Sequence, residues 1–501
     1  MDMYPRNYDR KKVSSLQSHL FGHRLKPGQT KYEYLIEFLQ VAISPKENSR
    51  TLKPYECMFP IERNGIQDIL TYFPESRMGL KRFIFFPKSK LDGKAAIDKA
   101  AYEECAKVLE NHVEGGTESS QKSSVAVIRN LLDGFSAVNQ NRSWFAQNML
   151  PVCPEVILPE GMGVKSWRKG MEFQIGDPNV DYKFDFHKYT YMCRGGEIYY
   201  LHLLNAVNEY PQYATNIESQ LKNMIESFPQ FTYLCNYVQH SWNEHMFVTP
   251  EERKFSKDLG AIPCSFSKRN EYTLSELNNF LSSKSHPFEK MEILANGIII
   301  QMLRMMYVAA TTETESNCWI IDVNWKGYVN SEIKKTATIG FKHNEEVLCK
   351  YLYRGLEGLR DELAISDDQK AIQDAADDSY RLFRKLGKTI GIIIPASGSG
   401  MRFSLSEDVI KFLVLAIIPA QNMITLDEFV ELLYTHFGMV IGPNQYRAEM
   451  EKGSAKAIGD LSFFELNKTA FAQKLKECGF LRDLSDAISI VENPYESEAI
   501  V

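Results

Sequence analysis

The chain lacks the short signatures that announce a reaction centre. It contains no G-x4-G-K-[ST] phosphate loop, no G-x-S-x-G elbow, no kinase signature and no HExxH pair. Each of those patterns exists because its chemistry needs those side chains at that spacing. Cysteine offers no framework either: the nine residues are odd in number and scattered, with no CxxC pair. That disfavours a set of disulfides and a structural zinc site, and a reducing cytosol is the simple reading. The opening MDMYPRNYDRKKVSS has no apolar h-region, so no secretory signal is expected. Long apolar runs are scarce. The longest, Ile293 to Ala310, contains Asn296, Gln301 and Arg304, and an arginine at mid-bilayer costs about 2.5–3.5 kcal/mol. It reads as a buried helix. The expectation is a cytoplasmic protein with no membrane partner, no metal and no cofactor.

What is present is size, and one stretch whose local signals agree. With 501 residues, 24% charged and 44% hydrophobic, an ordinary globular core is expected, divided among about two to four domains. PVCPEVILP, Pro151 to Pro159, reads as a boundary. The expected order is a mixed α/β domain with a basic arm over 1–155, a mainly helical middle domain over 156–395, and a winged helix-turn-helix over 396–501. The fold class is therefore α+β, mainly helical.

The C-terminal expectation rests on capping and periodicity. In SLSEDVIKFLVLAIIP, Ser406 is a natural N-cap, Glu407 and Asp408 favour the positive end of a helix dipole, and Pro419 stops the run. In TLDEFVELLYTHFG, Thr425 and Glu428 have capping-box spacing, Leu426, Phe429, Leu432 and Leu433 form a stripe, and Gly438 ends it. Gly442 to Ile458 offers only a short helix. Asn467 reads as the cap of NKTAFAQKLKECG, ended by Gly479, and FLRDLSDAISIVENP then suits a hairpin around Ser485-Asp486. Lys468, Lys474 and Lys476 on the third helix, with Arg482 at the wing, could contact phosphates. The charge count opposes this. Thr425 to Val501 holds 13 Asp or Glu against 7 Lys or Arg, a balance of −6, whereas a dedicated DNA reader carries a basic footprint. Protein docking is favoured over DNA reading.

Other candidates carry weaker signals. Residues 1–32 hold seven cations against Asp2 and Asp9, a balance of +5; Arg6, Arg10, Lys11 and Lys12 could form a nucleic-acid arm, with a solvated terminus as the plainer reading. His19 and His23 could share a metal only with a third ligand. TKYEYLIEFLQV, from Thr30, is an amphipathic helix with Tyr34, Phe38 and Val41 inward. LKRFIFFPKSK, Leu80 to Lys90, could stack a single strand but reads better as a buried β-strand. A helix over Ala95 to Val113 precedes the loop EGGTESSQKSS, flexible by composition, and another helix begins at Ser124. Asp181 and Lys183 have the D-x-K spacing of a metal-dependent nuclease, with Glu172 and Asp177 as possible further carboxylates. Arg194-Gly195-Gly196-Glu197 predicts a tight turn into a helix whose first amides could hold an anion. His240 and His245 lie about 140° apart on a helix and would not chelate one ion. Asn344 to Asp361 and Asp367 to Leu386 look helical, and Gly398 and Gly400 read as a hinge.

The series RGGEIYYLHL, MRFSLSEDVIKFLVLAIIP, TLDEFVELLYTHFGMVIG and FLRDLSDAISIVENPY resembles accessory proteins of bacterial multi-gene antiviral systems. These are the systems linked to DNA modification, by methylation or phosphorothioation, that typically include a P-loop ATPase subunit. The resemblance implies a cytosolic bacterial protein working in a complex on foreign DNA, and it carries no site residues. Three functions stay open. The first is a non-enzymatic subunit docking an ATPase or nuclease partner. The second is a metal-dependent nuclease using Asp181 and Lys183. The third is a winged-helix DNA-binding regulator.

Overall fold

The computed structural model describes residues 2–9, 15–22, 25, 29–62, 68–75, 77–85, 106–113, 116–135, 149–158, 195–245, 256–312, 315–326, 330–453, 455–485 and 488–498. Strand β1 (Met3–Tyr4) and helix α1 (Leu16–Phe21) lead to α2 (Lys31–Ile43). This is the helix expected from TKYEYLIEFLQV. The Glu33 carboxylate accepts the Thr30 amide at 2.5 Å, and Tyr34, Phe38 and Val41 are buried. Three short strands follow, β2 (Lys46–Asn48), β3 (Pro54–Tyr55) and β4 (Leu70–Tyr72), then α3 (Met78–Phe85).

Helix α3 corrects the strand expected from Leu80. Leu80, Phe83 and Ile84 are buried at helical spacing, so the apolar pattern serves a helix face rather than a pleat. Gly79 permits the close packing, since a Cβ there would come within 2.3 Å of the Trp242 ring. Residues 106–112 are helical. Helix α4 (Glu118–Asp133) starts well before Ser124. The Thr117 hydroxyl accepts the Ser120 amide at 3.4 Å, and this cap turns most of the serine-rich stretch from the expected loop into helix.

The middle of the chain is helical: α5 (Gly195–Glu209), α6 (Ala214–Ile225) and α7 (Pro229–His245) precede strands β5 (Lys257–Asp258) and β6 (Ile262–Pro263). Gly195 and Gly196 form the first turn of α5 rather than a turn ahead of it. Their role is close approach: a Cβ on Gly196 would lie 2.2 Å from the Tyr34 carbonyl oxygen on α2. Helices α8 (Asn270–Ser282) and α9 (Pro287–Ala310) come next. By length and composition α9 could cross a membrane, but 89% of its most apolar window is buried inside the protein. Ile298, Ile299 and Ile300 are fully covered, each contributing about 1.5–3 kcal/mol of burial.

Strand β7 (Trp319–Ile320) precedes α10 (Ser331–Leu359), α11 (Asp368–Asp377) and α12 (Tyr380–Ile390), then strands β8 (Ile393–Ile394) and β9 (Arg402–Phe403). Helix α10 begins earlier than the expected Asn344, because Asn330 caps it through the Glu332 amide at 2.8 Å. The expected Asp367 helix is two helices broken at Asp378-Ser379. Gly398 and Gly400 have φ of 90° and 78°, the left-handed region that favours glycine.

The last stretch holds α13 (Glu407–Ile417), β10 (Met423–Thr425), α14 (Leu426–Phe437), β11 (Met439–Val440), α15 (Pro443–Glu451), α16 (Ser462–Glu477), β12 (Leu481–Ser485) and β13 (Ile488–Glu492). The expected caps are present. Ser406 accepts the Val409 amide, Thr425 accepts that of Glu428, and Gly438 turns out of α14 at φ 67°. One is corrected: Asn467 lies inside α16, which begins at Ser462.

The sheets are small. They comprise β3–β2–β4–β5, β10–β13–β12, and the pairs β1–β6, β8–β9 and β11–β7. The α+β, mainly helical class is what the structure has. One apolar cluster runs from Leu16 through α2, α5, α9 and α13 to Val491. A second gathers α3, α4 and α7.

Candidate macromolecular interface

The C-terminal stretch is fixed to the rest of the chain by backbone pairing and by buried polar side chains. Strand β11 runs parallel to β7, with Trp319 donating its amide to the Gly438 carbonyl at 2.7 Å and Ile321 to that of Val440 at 3.0 Å. Phe403 bridges Ile321, its carbonyl accepting the Asp322 amide at 3.0 Å. Beside it Arg402 and Asp322 form a buried ion pair at 2.5 Å. Asn467 stitches three segments together. Its amide nitrogen donates to the Ile321 and Ile441 carbonyls, both at 2.9 Å, and its oxygen accepts the Val323 amide at 3.1 Å. Burial at an internal helix position, rather than capping, is what that asparagine does.

A larger buried ionic network sits at the end of α14. Arg269 meets Glu276 at 3.0 Å, both nearly fully buried. The same carboxylate receives Nδ1 of His436 at 2.9 Å and the Gln301 amide. Arg269 also donates to the Gln301 side-chain oxygen at 3.1 Å and to the His436 carbonyl, and lies over the Phe437 ring at 5.3 Å. Thr273 carries the chain of contacts to His202, whose Nε2 is 3.0 Å from its hydroxyl. Burial holds the His202 imidazole down at about 3, assisted by the Arg269 charge, so it is neutral at physiological pH. No motif flagged these residues. His202 lies within α5, and its partner Thr273 is 71 positions away in sequence.

The expected cation face of α16 is engaged internally. Lys468 pairs with Asp427, Lys476 with Asp483 at 2.7 Å, and Arg482 with Glu492 at 3.4 Å. Lys474 donates to the Leu405 carbonyl, and burial lowers its ammonium below the usual lysine range. Outward on α16 stand Glu465, Leu466 and Thr469, with Leu466 48% exposed. At the other end of the chain, Arg6 is exposed on the turn after β1. Arg10, Lys11 and Lys12 lie outside the described residues, as do Asp181, Lys183, Glu172 and Asp177. Among the described residues no group of three His, Cys, Asp or Glu could hold a metal ion.

Residues 397–495 match the family model of the methylation-associated defense system protein MAD7. The match supports an accessory protein of a defence system linked to DNA modification, the kind of protein the resemblance pointed to. It begins at the glycine-bearing turn before β9 and ends just past β13, so the MAD7-like stretch includes Asn467, His436 and all four of the α16 and wing cations. No curated protein and no solved structure matches the chain.

The expected anion site at the start of α5 is filled by the protein itself. The Glu37 carboxylate accepts the Gly196 amide at 2.8 Å, placing a negative charge where the helix dipole favours one. That amide is therefore used in joining α5 to α2.

Proposed function

We propose that this chain is a non-enzymatic subunit of a bacterial methylation-associated antiphage defence complex, docking other proteins of that system through a C-terminal winged helix. A P-loop ATPase or a nuclease is the partner in view, the compartment is the cytoplasm, and DNA contact is left to the N-terminal arm around Arg6. The winged-helix reading is supported by element order: α13, β10, α14, α16 and the β12–β13 hairpin, with sheet order β10–β13–β12. Docking is supported above all by one observation. The cations of α16 and the wing each have a carboxylate or carbonyl partner within the chain, and with 13 acidic against 7 basic residues from Thr425 to Val501 the stretch lacks the basic footprint of a DNA reader.

The test is co-purification of the tagged full chain, at native level, with the other proteins of its system. A stable assembly that survives nuclease treatment is expected. Recovery of monomer alone, unaffected by DNA, overturns the reading. Salt-dependent DNA binding whose slope falls on combined replacement of Lys468, Lys474 and Lys476 by alanine transfers this module to the regulator reading.

A further inference from the structure

Helix α10 lies across β7 with its first turns facing the segment that links α15 to α16. Between them is a groove of about 510 Å³ with a mainly apolar lining, to which Ile320, Ile339, Tyr446, Ile458 and Phe463 contribute. Gly340 brings the helix this close to β7, since a Cβ there would approach the Ile320 side chain to 3.0 Å. The apolar lining does not stop at the rim, because Ile339 is 59% exposed. Scattered exposed apolar residues are ordinary, but one continuous with an apolar groove marks a contact surface.

The charges around the groove say what it fits. Lys335 on α10 and Lys456 across from it both line the groove and are exposed, and neither is ion-paired to a described residue. Lys334 and Lys342 add exposed cations to the same half of α10, His343 also lines the groove, and Glu332 is the acidic residue at the rim. This is the reverse of α16, where every cation is engaged. From Lys335 through Ile339 to His343 the helix runs about 12 Å, matching two turns of a partner helix laid alongside, whose apolar face would recur at i, i+3, i+4 and i+7.

We propose that this groove receives an amphipathic helical segment of another protein of the same defence system, with its apolar face seated against Ile339, Ile458 and Phe463 and carboxylates flanking that face toward Lys335 and Lys456. The inference rests on the docking reading above and names the segment chemistry that reading leaves open. The groove is built jointly by the MAD7-like stretch, through Tyr446, Ile458 and Phe463, and by α10 outside it. Docking there would register the module and α10 together.

The experiment places p-benzoylphenylalanine at Ile339 of the full chain, co-expressed with the other proteins of its system. Irradiation and mass spectrometry then identify the cross-linked peptide. The expected product is a segment of one of those proteins with apolar residues at helical spacing and Asp or Glu beside them. The double variant K335E/K456E should lower cross-link yield by about tenfold or more, and reversing the carboxylates of the captured segment should restore it. Both lysines are exposed and neither is ion-paired to a described residue, so the variant retains the wild-type unfolding midpoint. A cross-link to a second copy of this chain, to nucleic acid, or to nothing while the assembly still co-purifies overturns the groove assignment and leaves the docking reading standing. Loss of all co-purification in the unmodified chain overturns the docking reading itself.

Discussion

On α16, Lys468 and Lys476 pair with Asp427 and Asp483 at the surface, with half or more of the Lys476 side chain and three-quarters of that of Asp427 exposed. At the end of α14, Arg269 and Glu276 pair with 3% and 0% of their side chains exposed, and the carboxylate also holds His436 and Gln301. The chemistry is the same and the setting differs. In water an ion pair exchanges one set of favourable contacts for another, whereas in the interior each charge depends on every partner it has. The surface pairs quiet a cation face; the buried set fixes where α14 lies against α8 and α9.

The contrast predicts a ranked series. The largest effect is at Glu276. Glu276→Ala leaves the Arg269 charge buried without its counter-ion and should cost about 3–5 kcal/mol, read from the denaturant midpoint. A loss below about 1 kcal/mol would put this network in the same class as the surface pairs. Next comes acid. His202 has its folded value lowered to about 3 against roughly 6.5 in the unfolded chain. The unfolded state therefore binds more protons between those values. The His202 contribution is complete above about pH 6.5 and is lost as the pH falls toward 3. Between pH 6.5 and 4.5 the loss should be on the order of 2–3 kcal/mol. It should shrink in His202→Gln whatever that variant's stability at neutral pH, and an equal acid loss in both proteins would remove His202 from the account.

Asn467→Ala follows. It strips partners from the Ile321 and Ile441 carbonyls and the Val323 amide, and should cost about 1–3 kcal/mol, with near-ultraviolet circular dichroism reporting a loosened Trp319. Smallest are Lys468→Ala and Lys476→Ala, each expected to shift stability by less than about 1 kcal/mol and to do so less at high salt. A larger, salt-insensitive shift would show that α16's surface pairs belong with the buried set.

Local signals in the sequence were reliable where one residue does one job. Ser406, Thr425 and Gly438 cap α13 and α14 as expected, because an N-cap hydroxyl or a left-handed glycine acts within its own turn. The 24-residue α9 was legible for a similar reason, since a long apolar run carrying Asn296, Gln301 and Arg304 fits an interior with partners better than a bilayer. Helix α3 was not. Phe83, Ile84, Phe85 and Phe86 in succession suit a strand, and what decides for helix is packing on Trp242, distant in sequence. Asn467 misled because a cap and a buried bridging amide use the same residue type. The network at Glu276 had no local trace at all: His436 joins it across 160 positions. Asp181, Lys183 and most of the N-terminal arm lie outside the described residues.

Pairing of β11 with β7 bears on how this protein could be re-engineered. Met439 and Val440 find their neighbours on Trp319 and Ile320, and Phe403 finds one on Ile321. Residues 397–495, though recognisable as a unit of sequence, are thus not a portable cassette. A chimera spliced just ahead of residue 397 would carry a foreign strand onto a native template, and any mismatch would surface as misfolding before partner choice could be scored. Splicing upstream of Ser316 instead keeps template and guest together.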